Sequence, residues 1–258
     1  MHLPVPTSVF LLGTASLEVA IPQPCTSQSI LQESVNVTQL SKVPFGSVIN
    51  HCTVSGTIAL TFDDGPWIYT AQMLDLLAEH GAHATFFLNG ANRGHIDAYP
   101  DLVKRALNEG HQLGSHTWSH PYLPNLSKKE IASQMTDLES SFERIIGRSP
   151  TYMRAPYLLT NNVVLSTLND LGYHVIGTSI DTKDFENDRP DTNWRSYEKF
   201  LAELNAGGNI VLAHDTYRTT VELLMYNMLD AIEVRGLTTV TVGECLGDPP
   251  ALWYRESR

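Results

Sequence analysis

Strand-like and helix-like segments alternate along most of the chain, and this alternation constrains the fold more than any other feature. Short apolar runs predict strands, and the longer segments between them show the 3.6-residue period of helices. The predicted strands are residues 58–62, 83–88, 112–115, 151–153, 174–178, 209–213 and 238–242. The predicted helices are residues 71–80, 101–109, 128–146, 163–171, 196–205 and 220–234.

Glycines and a capping motif mark several helix ends within this pattern. Gly81 and Gly110 follow the first two predicted helices, where a left-handed residue commonly ends a helix. Ser127 and Glu130 form a capping box at the start of the third helix. Strands that alternate with helices predict a mainly parallel sheet, either open and doubly wound or closed as a barrel. Seven strands favour the barrel, so we expect a distorted, incompletely closed (β/α)7 barrel with parallel strands.

Length and charge limit the class of protein. The chain has 258 residues, 42% of them hydrophobic, and a formal net charge of −11, which is typical of a globular protein with a sizeable core. An acidic chain lacks the basic surface that nucleic acid requires. No segment approaches the roughly 20 apolar residues that span a bilayer, so we expect no membrane anchor. We expect a polar lead over residues 1–50 and one domain over residues 51–258, acting as a monomer.

The first residues resemble a weak secretory signal peptide. An apolar run over residues 9–12 is followed by small residues, although no Lys or Arg precedes it and Glu18 interrupts the pattern. The cysteines are Cys25, Cys52 and Cys245. A bridge between Cys52 and Cys245 would tie together the two ends of one domain and leave Cys25 unpaired or removed, whereas three buried or free thiols are the alternative.

Polar residues collect at the ends of five predicted strands. Parallel α/β folds place their sites outside the carboxyl ends of the strands. The groups are Asp63 and Asp64, HTWSH at 116–120, RAPY at 154–157, DTKDF at 181–185 and AHD at 213–215. Because these strand ends meet at one rim, we expect the groups to lie together.

Two histidines and a carboxylate in this set predict a metal site. His116 and His120 are four residues apart, so on a helical turn they share one face and can bind one ion. Together with Asp64 they leave a fourth position open, as catalytic zinc sites do. Taken alone, the DDGP segment is equally typical of a turn, and the histidines of an ordinary structural pair.

Other residues of the set suit acid–base chemistry. Arg154 can neutralise Asp63 and hold it in place as a base. His214 follows an apolar strand and can act as a general acid, because the ordinary pKa of histidine lies near neutrality. The alternative for Arg154 is a surface ion-pair residue, which is the usual role of an arginine, and the alternative for His214 is a core histidine.

In this order, TFDDG, HTWSH, RAPY, DTKDF and LAHD resemble the five motifs of the carbohydrate esterase family 4 polysaccharide deacetylases, which share the NodB-homology domain. The resemblance runs from about residue 56 to residue 246, is strongest to fungal chitin deacetylases, and implies a distorted (β/α) barrel. It implies a zinc ion, or cobalt or another divalent transition metal in its place, held by Asp64, His116 and His120.

The same resemblance implies roles for the other motif residues. Asp63 is the implied base, fixed by Arg154, and His214 is the implied acid, oriented by Asp184. The backbone N–H of Tyr157 is the implied oxyanion donor. The residues expected to contact sugar are Trp67, Trp118, Tyr157, Phe185 and Leu212. The chain departs from the family at Phe185, where tryptophan is frequent, and at Leu158, where many members have glycine.

The implied reaction removes N-acetyl groups from N-acetylglucosamine units of chitin or chitooligosaccharides and releases acetate, outside the cell or in the cell wall. An acetylxylan esterase or a peptidoglycan deacetylase is the alternative, because the same chemistry cleaves those bonds. A magnesium-dependent phosphohydrolase is disfavoured by the two histidines and by the absence of a phosphate-binding glycine loop. A carbohydrate-binding protein without turnover would lack a ligand, base or acid, and this sequence has all of them.

Overall fold

The computed structural model describes residue 2 and residues 41–256. The described residues from 41 onward belong to one compact unit, which is separate from residues 1–35. The expected signal peptide and Cys25 lie outside the described residues. The domain boundary expected at residue 50 stays a prediction, and the first described strand begins just before it, at Val48.

The strands of the described residues form one large parallel sheet and one small antiparallel pair. The strands are β1 Val48–Ile49, β2 Thr57–Asp63, β3 Thr85–Leu88, β4 Gln112–Ser115, β5 Ser149–Pro150, β6 Tyr152–Met153, β7 His174–Ile176, β8 Ile180–Asp181, β9 Ile210–Ala213, β10 Thr238–Val240 and β11 Tyr254–Arg255. The large sheet has the order β1-β7-β6-β4-β3-β2-β9-β8, and β10 also pairs with β2. All of its pairings are parallel, whereas β5 and β11 pair antiparallel.

Helices connect most of the strands of the large sheet. They are α1 Thr70–Glu79, α2 Pro100–Asn108, α3 Lys128–Ile146, α4 Asn162–Asp170, α5 Trp194–Asn205, α6 Met225–Val234 and α7 Val242–Cys245. A π-helical turn over Thr220–Leu224 leads into α6. No helix in the described part of the chain is long and apolar enough to cross a bilayer.

The predicted helix-ending signals are present. Ser127 and Glu130 form the capping box of α3, because each side chain accepts a hydrogen bond from the other residue's backbone N–H. Gly81 and Gly110, which follow α1 and α2, have φ of +59° and +88°. Both predictions from the sequence are therefore confirmed.

The predicted distorted, incompletely closed barrel is confirmed. β1 lies at one edge of the sheet and β8 at the other, and these two edge strands are not paired with each other. Residues 177–179 connect β7 to β8. The strand predicted over residues 174–178 ends at Ile176, and the unpredicted β8 follows it on the opposite edge.

β2 lies in the interior of the sheet and fixes the position of the first motif. Its residues 58–62 are all at most 1% exposed, so the strand is covered on both faces. β2 pairs with β3 on one side and with β9 on the other. Asp63 ends the strand, so the carboxylates at 63 and 64 emerge between the ends of two neighbouring strands.

A disulfide closes the domain. Cys52, just before β2, is bonded to Cys245 in α7, and the two residues are 193 positions apart. The backbone N–H groups of Thr53 and Val54 donate to the Cys245 carbonyl, each at 2.9 Å. The bridge therefore joins the entry of the central strand to the last helix, which is the pairing that the sequence left open against three free thiols.

Removing this cross-link should destabilise the fold. Because joining the ends of so long a loop restricts the unfolded chain, we expect the Cys52→Ala/Cys245→Ala variant to lose about 2–5 kcal/mol of unfolding free energy. Equilibrium denaturation in urea measures this loss. Cys245 is fully buried, so the control is wild-type protein reduced with dithiothreitol, which keeps both sulfur atoms. A loss seen only in the variant would assign the effect to packing.

Candidate active site

The carboxyl ends of the parallel strands surround a cavity of about 630 Å³, a size that suits small organic ligands. Residues from all five sequence motifs line it. The lining residues are Asp63, Asp64, Asn92, Arg93, His116, His120, Tyr157, Leu158, Asp181, Lys183, Phe185, Leu212, His214 and Tyr217. The structure thus brings together the groups that the sequence placed at one rim.

Asp64, His116 and His120 form a compact cluster in this cavity. One ligand atom from each lies within 4.8 Å of the others. Asp64 Oδ1 is 3.4 Å from His120 Nε2 and 3.8 Å from His116 Nε2. A carboxylate oxygen and two imidazole nitrogens at these separations can converge on one cation.

The protonation of His116 suits a metal ligand. Its Nδ1 lies 2.8 Å from the Arg154 carbonyl oxygen, which can only accept, so Nδ1 carries the proton and the Nε2 lone pair is free to bind a cation. Burial lowers the pKa of His116 to about 3, which keeps the ring neutral. These donors fit a divalent transition metal better than magnesium, which prefers oxygen ligands.

Asp63 has a different partner from its neighbour. Its Oδ1 accepts a hydrogen bond of 2.9 Å from Arg154 Nη1, and both side chains are almost completely buried. Arg154 also donates to the Thr61 hydroxyl and to the carbonyls of Ile176 and Gly177. Burial raises the pKa of Asp63 above its ordinary value, and the guanidinium charge opposes this shift. Arg154 is therefore a fixed interior cation and not a surface ion-pair residue.

His214 directly follows β9, the strand beside β2, and is held by Asp184. His214 Nδ1 lies 2.8 Å from Asp184 Oδ1, and the His214 backbone N–H donates to Asp184 Oδ2 at 2.7 Å. The Thr220 hydroxyl also donates to Asp184 Oδ2. Burial acts to lower the pKa of His214, but the Asp184 carboxylate, with smaller contributions from Asp63 and Asp64, outweighs burial and raises it to about 9. The imidazole is therefore protonated at neutral pH.

Residues in the left-handed backbone region are concentrated at this rim. Besides glycines, the described residues with positive φ are Asp64, Thr117, His120, Tyr157, Leu158 and Lys183. Such a conformation costs a non-glycine residue roughly 1–2 kcal/mol and persists where the surroundings hold it. Leu158, with φ of +58°, stands where many family members have glycine, which adopts this conformation freely.

The structure divides the residues expected to contact sugar into two groups. Tyr157, Phe185 and Leu212 line the cavity, whereas Trp67 and Trp118 are absent from its lining. The Trp118 ring covers Gly90, where a Cβ would lie 2.0 Å from it, and Trp67 packs near Gly94 and Tyr99.

Asn92 and Arg93 line the cavity but were not predicted from the sequence. Asn92 donates to Asp64, and Arg93 donates to the Tyr217 hydroxyl and stacks on its ring. Both residues follow β3. The sequence analysis found polar groups after five of the seven predicted strands, and this strand is one of the two without such a group. The polar segment NGANR directly after that strand is the signal that would have found them.

Comparison with known proteins gives a consistent result. The family described as polysaccharide deacetylase matches residues 50–176. A chitin deacetylase of Arthroderma benhamiae is 54% identical over 217 residues, covering 84% of this chain and 58% of that protein. A chitin deacetylase of Pestalotiopsis sp is 52% identical over 215 residues, covering 83% of this chain and 72% of that protein. The chain therefore spans little more than half the length of the Arthroderma relative.

A solved structure supports the same comparison. The chitin deacetylase from the fungal pathogen Colletotrichum lindemuthianum superposes with a TM-score of 0.81 and is 45% identical, covering 84% of this chain and 98% of that chain. The two proteins are therefore similar in sequence as well as in fold.

The buried pair of Asp63 and Arg154 allows a test by stability. Arg154→Leu leaves a buried carboxylate without its cation, so we expect a loss of about 3–5 kcal/mol in unfolding free energy at pH 8. The double variant Arg154→Leu/Asp63→Asn removes the charge as well and should lose less. Urea denaturation of both variants measures the difference. Equal losses in the two variants would mean that the carboxylate does not depend on Arg154.

Proposed function

Because the chain belongs to the polysaccharide deacetylase family, we propose that it is a metal-dependent chitin deacetylase. In this proposal it hydrolyses the N-acetyl group on N-acetylglucosamine units of chitin or chitooligosaccharides and releases acetate. The names of the similar fungal proteins support chitin as the substrate class, and the cavity supports the reaction.

One observation carries the proposal. Amide hydrolysis needs a base for the attacking water, a cation for the developing charge and an acid for the leaving nitrogen. A single cavity contains a candidate for each of these three tasks. The candidate base and the candidate acid each have their own charged partner. The base candidate is Asp63 with Arg154, the acid candidate is His214 with Asp184, and the cation site is Asp64 with His116 and His120.

We propose zinc as the ion, with cobalt or another divalent transition metal as a substitute. Asp64, His116 and His120 would hold it, and this donor set leaves a position open as catalytic zinc sites do. When bound, such an ion polarises the acetyl carbonyl and makes a coordinated water more acidic.

Asp63 is the proposed base. Its Oδ1 is engaged by Arg154, so Oδ2 is the oxygen left to accept the proton of the attacking water. The guanidinium also prevents the carboxylate from rotating away. Because burial raises the pKa of Asp63, the carboxylate is a stronger proton acceptor than an exposed aspartate.

His214 is the proposed acid. An amine anion is a very poor leaving group, so the amide nitrogen must gain a proton as its bond to carbon breaks. Asp184 engages Nδ1, which leaves Nε2 to deliver that proton. The backbone N–H of Tyr157 is the proposed donor to the tetrahedral oxyanion, and preorganised donors of this kind lower the barrier.

The cavity walls suit a neutral sugar. Tyr157, Phe185 and Leu212 offer apolar surface, and the apolar faces of sugar rings pack on such side chains. We further propose that the protein acts as a monomer outside the cell or in the cell wall. The Cys52–Cys245 disulfide supports this location, because disulfides persist in oxidising compartments.

Acetate release from N-acetylglucosamine oligomers tests the proposal. We expect release by the purified protein, loss after chelation and recovery after zinc is restored. Asp63→Asn should lower kcat by roughly 10²–10⁴-fold, because the base is lost while the shape is kept. Asp230→Asn, an exposed aspartate on α6, is the matched control and should keep full activity.

A substrate panel decides the substrate class. Folded, zinc-loaded protein that releases no acetate from any chitin oligomer would overturn the proposal. Release from acetylated xylan or from peptidoglycan in the same assay would then identify the alternative substrate.

The pH profile tests His214 separately. A general acid must be protonated, so kcat/KM falls as pH rises through its pKa. Asp184 raises that pKa, so Asp184→Asn should move the alkaline limb of the profile to lower pH. Rates measured between pH 5 and pH 10, with Asp230→Asn as control, give the limb. A lower rate with an unmoved limb would contradict the assignment of His214.

A further inference from the structure

We propose that Asn92 is a positioning residue for the metal ligand Asp64. It belongs to a short segment that joins the loop of Asp64 to the loop of His116. The segment is residues 89–92, which directly follows β3, and we call it the asparagine bracket. The inference rests on the proposed function, since it assigns Asn92 to the metal site of that function.

The asparagine bracket is bonded to both loops through its backbone and its first side chain. The Asn89 backbone N–H donates to the Gly65 carbonyl at 2.9 Å, next to Asp64. The Asn89 side-chain amide donates to the carbonyls of His116 and Thr117 at 2.5 and 2.9 Å. Asn89 is 2% exposed, so these hydrogen bonds are shielded from water. The loop of Asp64 and the loop of His116 are therefore fastened to one short segment.

These hydrogen bonds explain how both loops keep residues in the unfavourable left-handed backbone conformation. Asp64 and Thr117 have φ of +74° and +70°, and His120 has φ of +55°. A non-glycine residue stays in this region when its surroundings over-determine it. The asparagine bracket supplies that constraint beside Asp64 and at Thr117, because Asn89 holds the carbonyls of Gly65 and Thr117.

Asn92 extends the asparagine bracket to the carboxylate itself. Its Nδ2 donates to Asp64 Oδ1 at 2.9 Å and to Asn89 Oδ1 at 3.1 Å. Both amide hydrogens are thus engaged, and the second bond links Asn92 to the buried Asn89. Asp64 Oδ1 is also the oxygen that faces the Nε2 atoms of both histidines. Asn92 therefore acts on the ligand atom of Asp64.

A donor on this oxygen has two physical effects on metal binding. It fixes the rotation of the carboxylate, so less conformational freedom is lost when an ion binds. It also occupies one lone pair of Oδ1 and leaves the other for the ion. Groups that hydrogen-bond to metal ligands in this way typically change metal affinity 10–100-fold. Asp63 receives comparable support from Arg154, and Asn92 is the corresponding partner of Asp64.

Zinc affinity without substrate is the decisive measurement. Asn92 lines the cavity and is exposed, so an effect on activity alone would not separate metal binding from sugar binding. We expect Asn92→Ala to bind Zn²⁺ about 10–100-fold more weakly in competition with a chromophoric chelator. The melting temperature of the metal-free variant should match that of the wild type, because the side chain is exposed.

Two further variants make the test specific. Asn227→Ala removes an exposed asparagine of α6 whose amide donates to the Leu223 carbonyl, and it should bind Zn²⁺ like the wild type. Asn92→Gln keeps an amide donor on a longer side chain and should recover part of the affinity.

The outcomes separate this inference from the proposed function. Equal Zn²⁺ affinities for wild type, Asn92→Ala and Asn227→Ala would overturn the inference, even if Asn92→Ala had lower activity. A wild-type protein that bound no Zn²⁺ would overturn the metal-dependent function and the inference with it. Normal Zn²⁺ binding without acetate release would leave the role of Asn92 in metal binding standing and would overturn the chitin deacetylase proposal.

Discussion

A guanidinium with no exposure to solvent lies inside the barrel, and its charge permits a carboxylate to be buried beside it. Placing one charge in a low-dielectric interior costs several kcal/mol, so each of the two side chains needs the other. Arg154 also donates to Thr61 on β2 and to the carbonyls of Ile176 and Gly177 at the end of β7. The same side chain therefore sets the geometry of Asp63 and bridges the interior of an unclosed barrel.

The two adjacent aspartates differ because their environments differ. Asp63 faces a permanent cation, whereas Asp64 faces the ring nitrogens of two histidines together with an amide donor. A left-handed residue at Asp64 turns the backbone between them, so the two carboxylates point to different partners. Like charges side by side in sequence are tolerated because the fold gives each its own source of positive charge or hydrogen bonding.

Much of this architecture could be predicted from the sequence, because in long elements the spacing of apolar residues shows a clear period. The helix predicted over residues 128–146 matches α3 residue for residue, and its capping box is present. The strands β1 and β8 have two residues each, too few for a period to be visible. The asparagine bracket was missed because asparagine and glycine after a strand are also typical of an ordinary turn. The position of Trp118 depends on its packing over Gly90, which sequence spacing does not encode.

The small antiparallel pair has a consequence for how the molecule can be oriented on a surface. β11 pairs with β5, in which Tyr254 lies opposite Pro150, and β5 precedes β6 at the amino-terminal end of the barrel. The cavity opens at the carboxyl ends of the strands, on the other face. A support coupled through β11 would therefore hold the barrel with its mouth directed away from the support.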